Sequence, residues 1–358
     1  QMHRSVQRVR YPPFEHYNTE PDKIPLVEVI LESENVPPPE FKLGSENSWM
    51  VEWRKEAEGD GRMPIIRTEV TRDVLPFLMR TRNGWYIEPD PIHSLARRMI
   101  FPSVAILSIS LILHALEPAL IELLGGFAEI IYSPIRIGPL DYPLLILVSF
   151  PVFIMPIIAR IFANLRDIRR QEEYISRPIG SPQMIIGEMG PKSIEISEFA
   201  PPNGFTANRC RIQVGVAVPE RRAILESANR SEAGQPAPGM STALPERRIS
   251  TADEHGTGVG ESLPMTVSRG RILLLEPMRV QDSGPWVKAD SGRIVLEGPE
   301  NSWPGSIYSA MIAVHWEIVV EGVTDSGMRV KWVKPLIVEN REDVSLDELP
   351  VRSGRIEG

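Results

Sequence analysis

Cysteine is almost absent from this chain of 358 residues, in which Cys210 stands alone. One thiol can close no intramolecular disulfide and build no thiolate zinc cluster, and both exclusions favour a reducing compartment. Histidine is scarce as well, with six residues and no two at a spacing such as H-x-x-x-H, so no metal signature is legible. No Gly-x-Ser-x-Gly nucleophile elbow occurs. The glycines of Gly256-Thr257-Gly258-Val259-Gly260 lack the strand before and the helix after that a phosphate-cradling loop needs. A basic surplus is also missing. With a formal charge of −8 and a pI near 5.5, nucleic acid is not expected as a partner, because phosphate binding needs a concentrated basic surface. The chain is therefore expected to be no enzyme, with no cofactor and no metal. Around Gln1 to Arg10 there is no apolar core of a secretory signal, so internal segments are expected to direct any membrane insertion.

Two such segments are present. Met99 to Leu116 runs without a formal charge, and so does Tyr142 to Ala159, each close to the roughly 20 residues a helix needs to cross the hydrocarbon core. Neither has the polar stripe of a soluble helix. The expected spans are 97–118 and 139–163, with Pro102 in the first turn of one and kinks at Pro151 and Pro156 in the other. Arg97 and Arg98 precede the first, and Arg160, Arg166, Arg169 and Arg170 accompany the end of the second, whereas the connector between them has only Arg136. By the positive-inside rule both ends are cytoplasmic. The six arginines are candidate contacts for anionic lipid headgroups. Residues 119–138 read as an outer interfacial, partly helical connector. His114 and Glu117, at i and i+3, are a candidate intramembrane polar pair.

The remainder reads as β structure. Residues 1–23 look like a flexible arm without a core of its own. Residues 24–92 read as a small β-rich domain, ending in Val74 to Phe77, a turn at Arg82-Asn83-Gly84 and a strand at Trp85-Tyr86-Ile87. After the second span, about seven strands within 172–342 suit an antiparallel β-sandwich. An insertion at 220–264, free of Phe, Trp and Tyr, is expected to be flexible, and the tail at 343–358 disordered. In the strand of Ile312, Val314, Trp316, Ile318 and Val320, the other face carries His315, Glu317 and Glu321 and is expected to meet solvent, making His315 a surface residue.

Two resemblances accompany this reading. Pro76-Phe77-Leu78 followed by Asn83-Gly84-Trp85-Tyr86-Ile87-Glu88-Pro89 resembles the end of GIDE-type domains, found in membrane-anchored ubiquitin ligases and prokaryotic relatives. With one cysteine in the whole chain, that likeness implies a membrane-side β module and no ring-finger ligase chemistry. The closing strands, Ser309 to Val320 and Val330 to Val338, resemble the last hairpin of arrestin-like sandwiches, which implies a protein-interaction module. The expected whole is a two-helix transmembrane hairpin joining a small β-rich domain to an antiparallel Ig/arrestin-like sandwich. Its expected role is a scaffold in a prokaryotic plasma membrane that binds other membrane or cytoplasmic proteins, or a second copy, with an accessory subunit of a transport or channel complex as the alternative.

Overall fold

The structure is a computed structural model that describes residues 2–10, 26–37, 39–48, 50–55, 63, 65–67, 70–71, 73–87, 90–126, 132–189, 192–217, 242–243, 279–309 and 312–339. The expected insertion at 220–264, save 242–243, and the expected tail at 343–358 lie outside these residues. The chain divides into a helical unit, Pro89–Glu172, and a unit built from residues on either side of it.

The first sheet comes from the start of the chain. Strands β1 (His3–Arg10), β2 (Val27–Ser33), β3 (Phe41–Gly44), β4 (Met50–Lys55) and β5 (Ile65–Arg67) align in the order β3-β4-β1-β2-β5. Only β2 and β5 run parallel. Its more apolar side is Val9, Val29, Leu31, Leu43, Val51 and Trp53, all buried, whereas Val6 lies on the opposite face with Arg8. The expectation of a flexible arm at 1–23 fails for residues 3–10, because β1 is the central strand. It looked too polar to pack, but its register sets Arg8 opposite Glu28 on one neighbour and Glu52 on the other. Arg8 pairs with Glu28, with Glu52 at 2.7 Å and with Glu46 at 2.6 Å. Cross-strand charge pairs thus do part of what apolar residues do elsewhere.

The strand and Asn-Gly hairpin expected near 74–87 are a helix and a strand instead, α1 (Pro76–Thr81) and β6 (Gly84–Ile87). Pro76 stands in the first helical turn, where its fixed φ favours the helix and its missing N–H costs nothing. Gly84, at φ 109°, turns the chain into β6.

In the helical unit, α2 (Ile92–Ala115) and α3 (Glu117–Leu124) are followed by a small hairpin of β7 (Pro134–Ile137) and β8 (Leu140–Pro143), and then by α4 (Leu144–Ser176). At 24 and 33 residues, α2 and α4 are long and apolar enough to cross a membrane. Because α2 begins at Ile92, Pro102 lies in its interior and not in its first turn. The expected bounds of 139–163 also fall short of α4, which continues to Ser176. The fully buried positions of α2 are Ala96, Ser103 and Ser110. Those of α4 include Ser149, Pro156, Ala163 and Asp167. The α2 series steps by seven residues, as do 149, 156 and 163 of α4, with Asp167 four further on; an antiparallel alignment that sets 96 level with 163 also sets 103 level with 156 and 110 with 149. A seven-residue repeat of small, buried positions marks one inward-facing line on each helix. Ser103, Ser110 and Ser149 return their hydroxyls to carbonyls of their own helix.

Beyond the helices come β9 (Gln183–Met189), β10 (Ser193–Ala200), β11 (Phe205–Ala217), β12 (Thr242–Ala243), β13 (Arg279–Ser283), β14 (Val287–Lys288), β15 (Gly292–Glu297), β16 (Ile307–Tyr308), β17 (Ala313–Thr324) and β18 (Arg329–Leu336). One sheet has the order β15-β10-β9. The larger has the order β12-β6-β18-β17-β11-β13, with β14 on β11 and β16 on β17. Strand β6, from before the helical unit, pairs with β18, from after it, through Trp85↔Trp332 and Ile87↔Val330. Ser309 also donates to Gln7 of β1 at 3.2 Å. Strand β6, from the domain expected at 24–92, therefore belongs to the large sheet of the domain expected at 172–342, while β1–β5 keep a sheet of their own, and the helical unit is inserted after β6.

Candidate functional site

Helix α4 carries a fully buried carboxylate, Asp167, near the start of α2. Its Oδ2 accepts the backbone N–H of Asp90 at 3.2 Å and lies 3.1 Å from Nε2 of His93, while its Oδ1 accepts from Arg170 at 3.0 Å. Asp90, also buried, accepts the Ile92 N–H at 3.0 Å and meets Arg166 at 3.2 Å. That bond caps α2, whose N-cap Pro91 offers no side-chain cap, and the two carboxylates complement the positive end of its dipole. The two helices are thereby clamped together at one end by charge.

All six candidate arginines gather toward that end. Arg166 and Arg170 are engaged by the clamp, Arg98 and Arg169 are exposed, and Arg97 and Arg160 are half-buried. The other end of the pair carries His114 and Glu117, which the structure does bring together, with Nδ1 3.0 Å from Oε2 but without hydrogen-bond alignment. Tyr132 donates to the Leu113 carbonyl at 2.9 Å and ties the connector to that end. Between the ends, only 11% of the apolar window of each helix is buried, and Phe101 and Phe162 are 81% and 60% exposed. A helix from a soluble core would hide such residues.

The sheet-built unit holds a second polar cluster that the sequence reading missed. Glu317 of β17 has no exposed surface, and Arg82, just after α1, clasps it with Nε at 3.0 Å and Nη2 at 2.5 Å. Gln213 of β11 donates to the same carboxylate. His315 is also fully buried, 3.6 Å from Glu317 through Nε2, and its Nδ1 meets the Tyr308 hydroxyl at 2.8 Å. The expectation of a solvent-facing His315 is wrong because β17 is an interior strand covered on both faces. Ile318, Val320 and Trp316 pack on one side, and Leu78, Tyr308, Arg82 and Trp286 close the other. Burial would raise the Glu317 carboxyl, but the Arg82 charge and then His315 outweigh it and hold it down at about 2. Burial pushes the His315 imidazole below its ordinary 6.5, against the pull of Glu317. The cluster is sealed from solvent, so it cannot receive a substrate. What it can do is fix α1 and β6 to β17. A glutamate set between Trp316 and the run Ile318-Val319-Val320 of a twelve-residue strand was the legible signal, since a buried charge requires a partner.

Cys210 is buried, and burial raises its thiol to about 11, which makes it a packing residue and not a nucleophile. Among the described residues no group of three metal-ligating side chains converges. Comparison with the models of protein families, with curated proteins and with solved structures found no match.

Proposed function

We propose that this chain is an integral membrane anchor: α2 and α4 cross the bilayer as a hairpin, and the sheet-built unit is held on one side as a surface for protein–protein interaction. The observation that carries the reading is the pairing of β6 with β18 across the helical insertion. Strands on either side of the hairpin belong to one sheet, so the chain must return to the compartment it left, which an even number of crossings provides. The exposure of apolar residues around both helices supports lipid as their surroundings. The concentration of arginine at the clamped end supports a cytoplasmic placement of that end.

The test is direct. Membranes bearing the expressed chain are washed with alkaline carbonate, and tags placed at residue 1 and residue 358 are probed with protease from one side. Retention in the membrane with both tags on the same side is the expected result; release by carbonate, or tags on opposite sides, would overturn the proposal. An accessory role in transport is the second reading, favoured by the His114–Glu117 contact and by Pro151 and Pro156 within α4. It predicts ion flux in reconstituted liposomes that a pure anchor does not give.

A further inference from the structure

We propose that Arg98 and Arg160 take the phosphate of an anionic phospholipid as their counter-ion, an inference that rests on the bilayer placement above. The six arginines divide by what they already hold. Arg166 and Arg170 are bound to Asp90 and Asp167, and Arg97 has a partner of its own. Arg98, Arg160 and Arg169 have no carboxylate partner among the described residues, and Arg169, two positions past Asp167, stands at the clamp itself, which leaves Arg98 and Arg160 apart from it. They also sit deeper than the clamp. Arg160 precedes Asp167 by two helical turns, or about 10 Å along the axis. Ile157, Ile158, Ile161, Phe162 and Leu165, on either side of Arg160, are all exposed and apolar. On α2, Arg98 lies next to exposed Ile100 and Phe101 in the same way.

A guanidinium set into an apolar belt is costly unless it reaches an anion. The stems of these arginines can lie along the apolar surface while the heads turn toward the clamped end, where phosphate oxygens of the adjacent leaflet lie within reach. The planar fork of arginine suits two phosphate oxygens at once. A net-negative headgroup is preferred to a zwitterionic one because no choline cation competes for the same phosphate. From the level of Arg98 to that of His114 is about 24 Å of helix. Allowing for the reach of the arginine side chains, this matches a hydrocarbon core of about 30 Å and puts the guanidinium groups at its boundary.

The full chain is reconstituted in phosphatidylcholine bilayers doped with spin-labelled phosphatidylglycerol or spin-labelled phosphatidylcholine, and the motionally restricted fraction of each is read by electron paramagnetic resonance. The expected result is a preference for phosphatidylglycerol, about fivefold per arginine, in the unmodified protein. In Arg98→Gln/Arg160→Gln it falls to near equality, in Arg98→Lys/Arg160→Lys a reduced preference survives, and in Lys288→Gln it is unchanged. No preference in the unmodified protein, or one untouched by the double glutamine variant, overturns the proposal. If the glutamine variant does not reconstitute, the lysine variant and the unmodified protein decide: equal restriction of both lipids in each overturns it. Absence of restricted lipid of either kind marks failure of the bilayer placement itself, a result separable from a failed headgroup preference.

Discussion

Glu317 and Arg82 are 235 positions apart in sequence and share a carboxylate clasp with almost no exposed surface. Removing one partner leaves the other charge buried and unpaired, which costs more than the intact pair contributes. Glu317→Gln is expected to lower stability by about 3 to 5 kcal/mol, read as a drop in the thermal unfolding midpoint of the detergent-solubilised chain. The double change Glu317→Leu with Arg82→Leu should recover much of that loss, and a double variant as unstable as the sum of the singles would count against the clasp. The same cluster gives stability a two-step dependence on pH. His315 titrates lower in the folded state than its ordinary 6.5, so the unfolded chain binds its proton first and stability falls as pH drops below 6.5. Glu317, held at about 2 against an ordinary 4.5, contributes stability that is complete above 4.5 and is lost as pH falls toward 2. In unfolding scans from pH 8 to pH 3, His315→Phe should flatten the upper step and leave the lower one in place. Equal slopes in both proteins between pH 6.5 and pH 5 would refute this role for His315.

Helices α2 and α4 show how far a sequence with an apolar composition can be read. That two such helices exist follows from charge-free runs of spanning length, and these were legible in the sequence. Their seam was not, because in an evenly apolar segment the inward positions stand out only by small volume, and an Ala or Ser among Ile and Leu has no polar contrast to mark it. Likewise Asp90 and Asp167 gave no signal, since a carboxylate beside arginines reads as ordinary interfacial charge until the fold brings it to the helix start. The seam can be tested because the only native cysteine, Cys210, is buried. Ala96→Cys with Ala163→Cys, two positions level in the antiparallel register, should form a disulfide on mild oxidation, as seen in a mobility shift after cleavage of the chain between the helices. Ala96→Cys with Ser149→Cys, about 20 Å apart along the axis, should not. Crosslinking of both pairs, or of neither, would mean that the helices do not keep this register.

Strand β6 decides how many bodies the molecule contains. Read along the chain, residues 24–92 and 172–342 each have their own strand patterns, and composition sets no limit on whether two such stretches share a sheet; pairing between residues more than two hundred positions apart leaves no local trace. Glu317 is again the exception, an internal charge whose partner had to come from elsewhere in the chain. In the folded unit, β6 lays Trp85 against Trp332, Tyr86 packs with Val319 and Val333, and Arg82 neutralises Glu317. The segment that follows the helices therefore lacks the strand between β12 and β18, a buried aromatic layer and a counter-ion when made alone. Residues 173–358 expressed without the rest are expected to aggregate or to unfold without a cooperative transition in calorimetry. A chain in which residues 89–172 are replaced by a flexible linker of about twelve Gly and Ser residues keeps every one of those contacts. That chain should be water-soluble, with a sharp transition and an ordered near-ultraviolet dichroism spectrum, since the apolar helices are gone and the sheet is whole. If residues 173–358 alone melt as sharply and at the same temperature as the linked chain, the segments on either side of the helices are independent domains. Nothing in the fold would then require both to lie in one compartment.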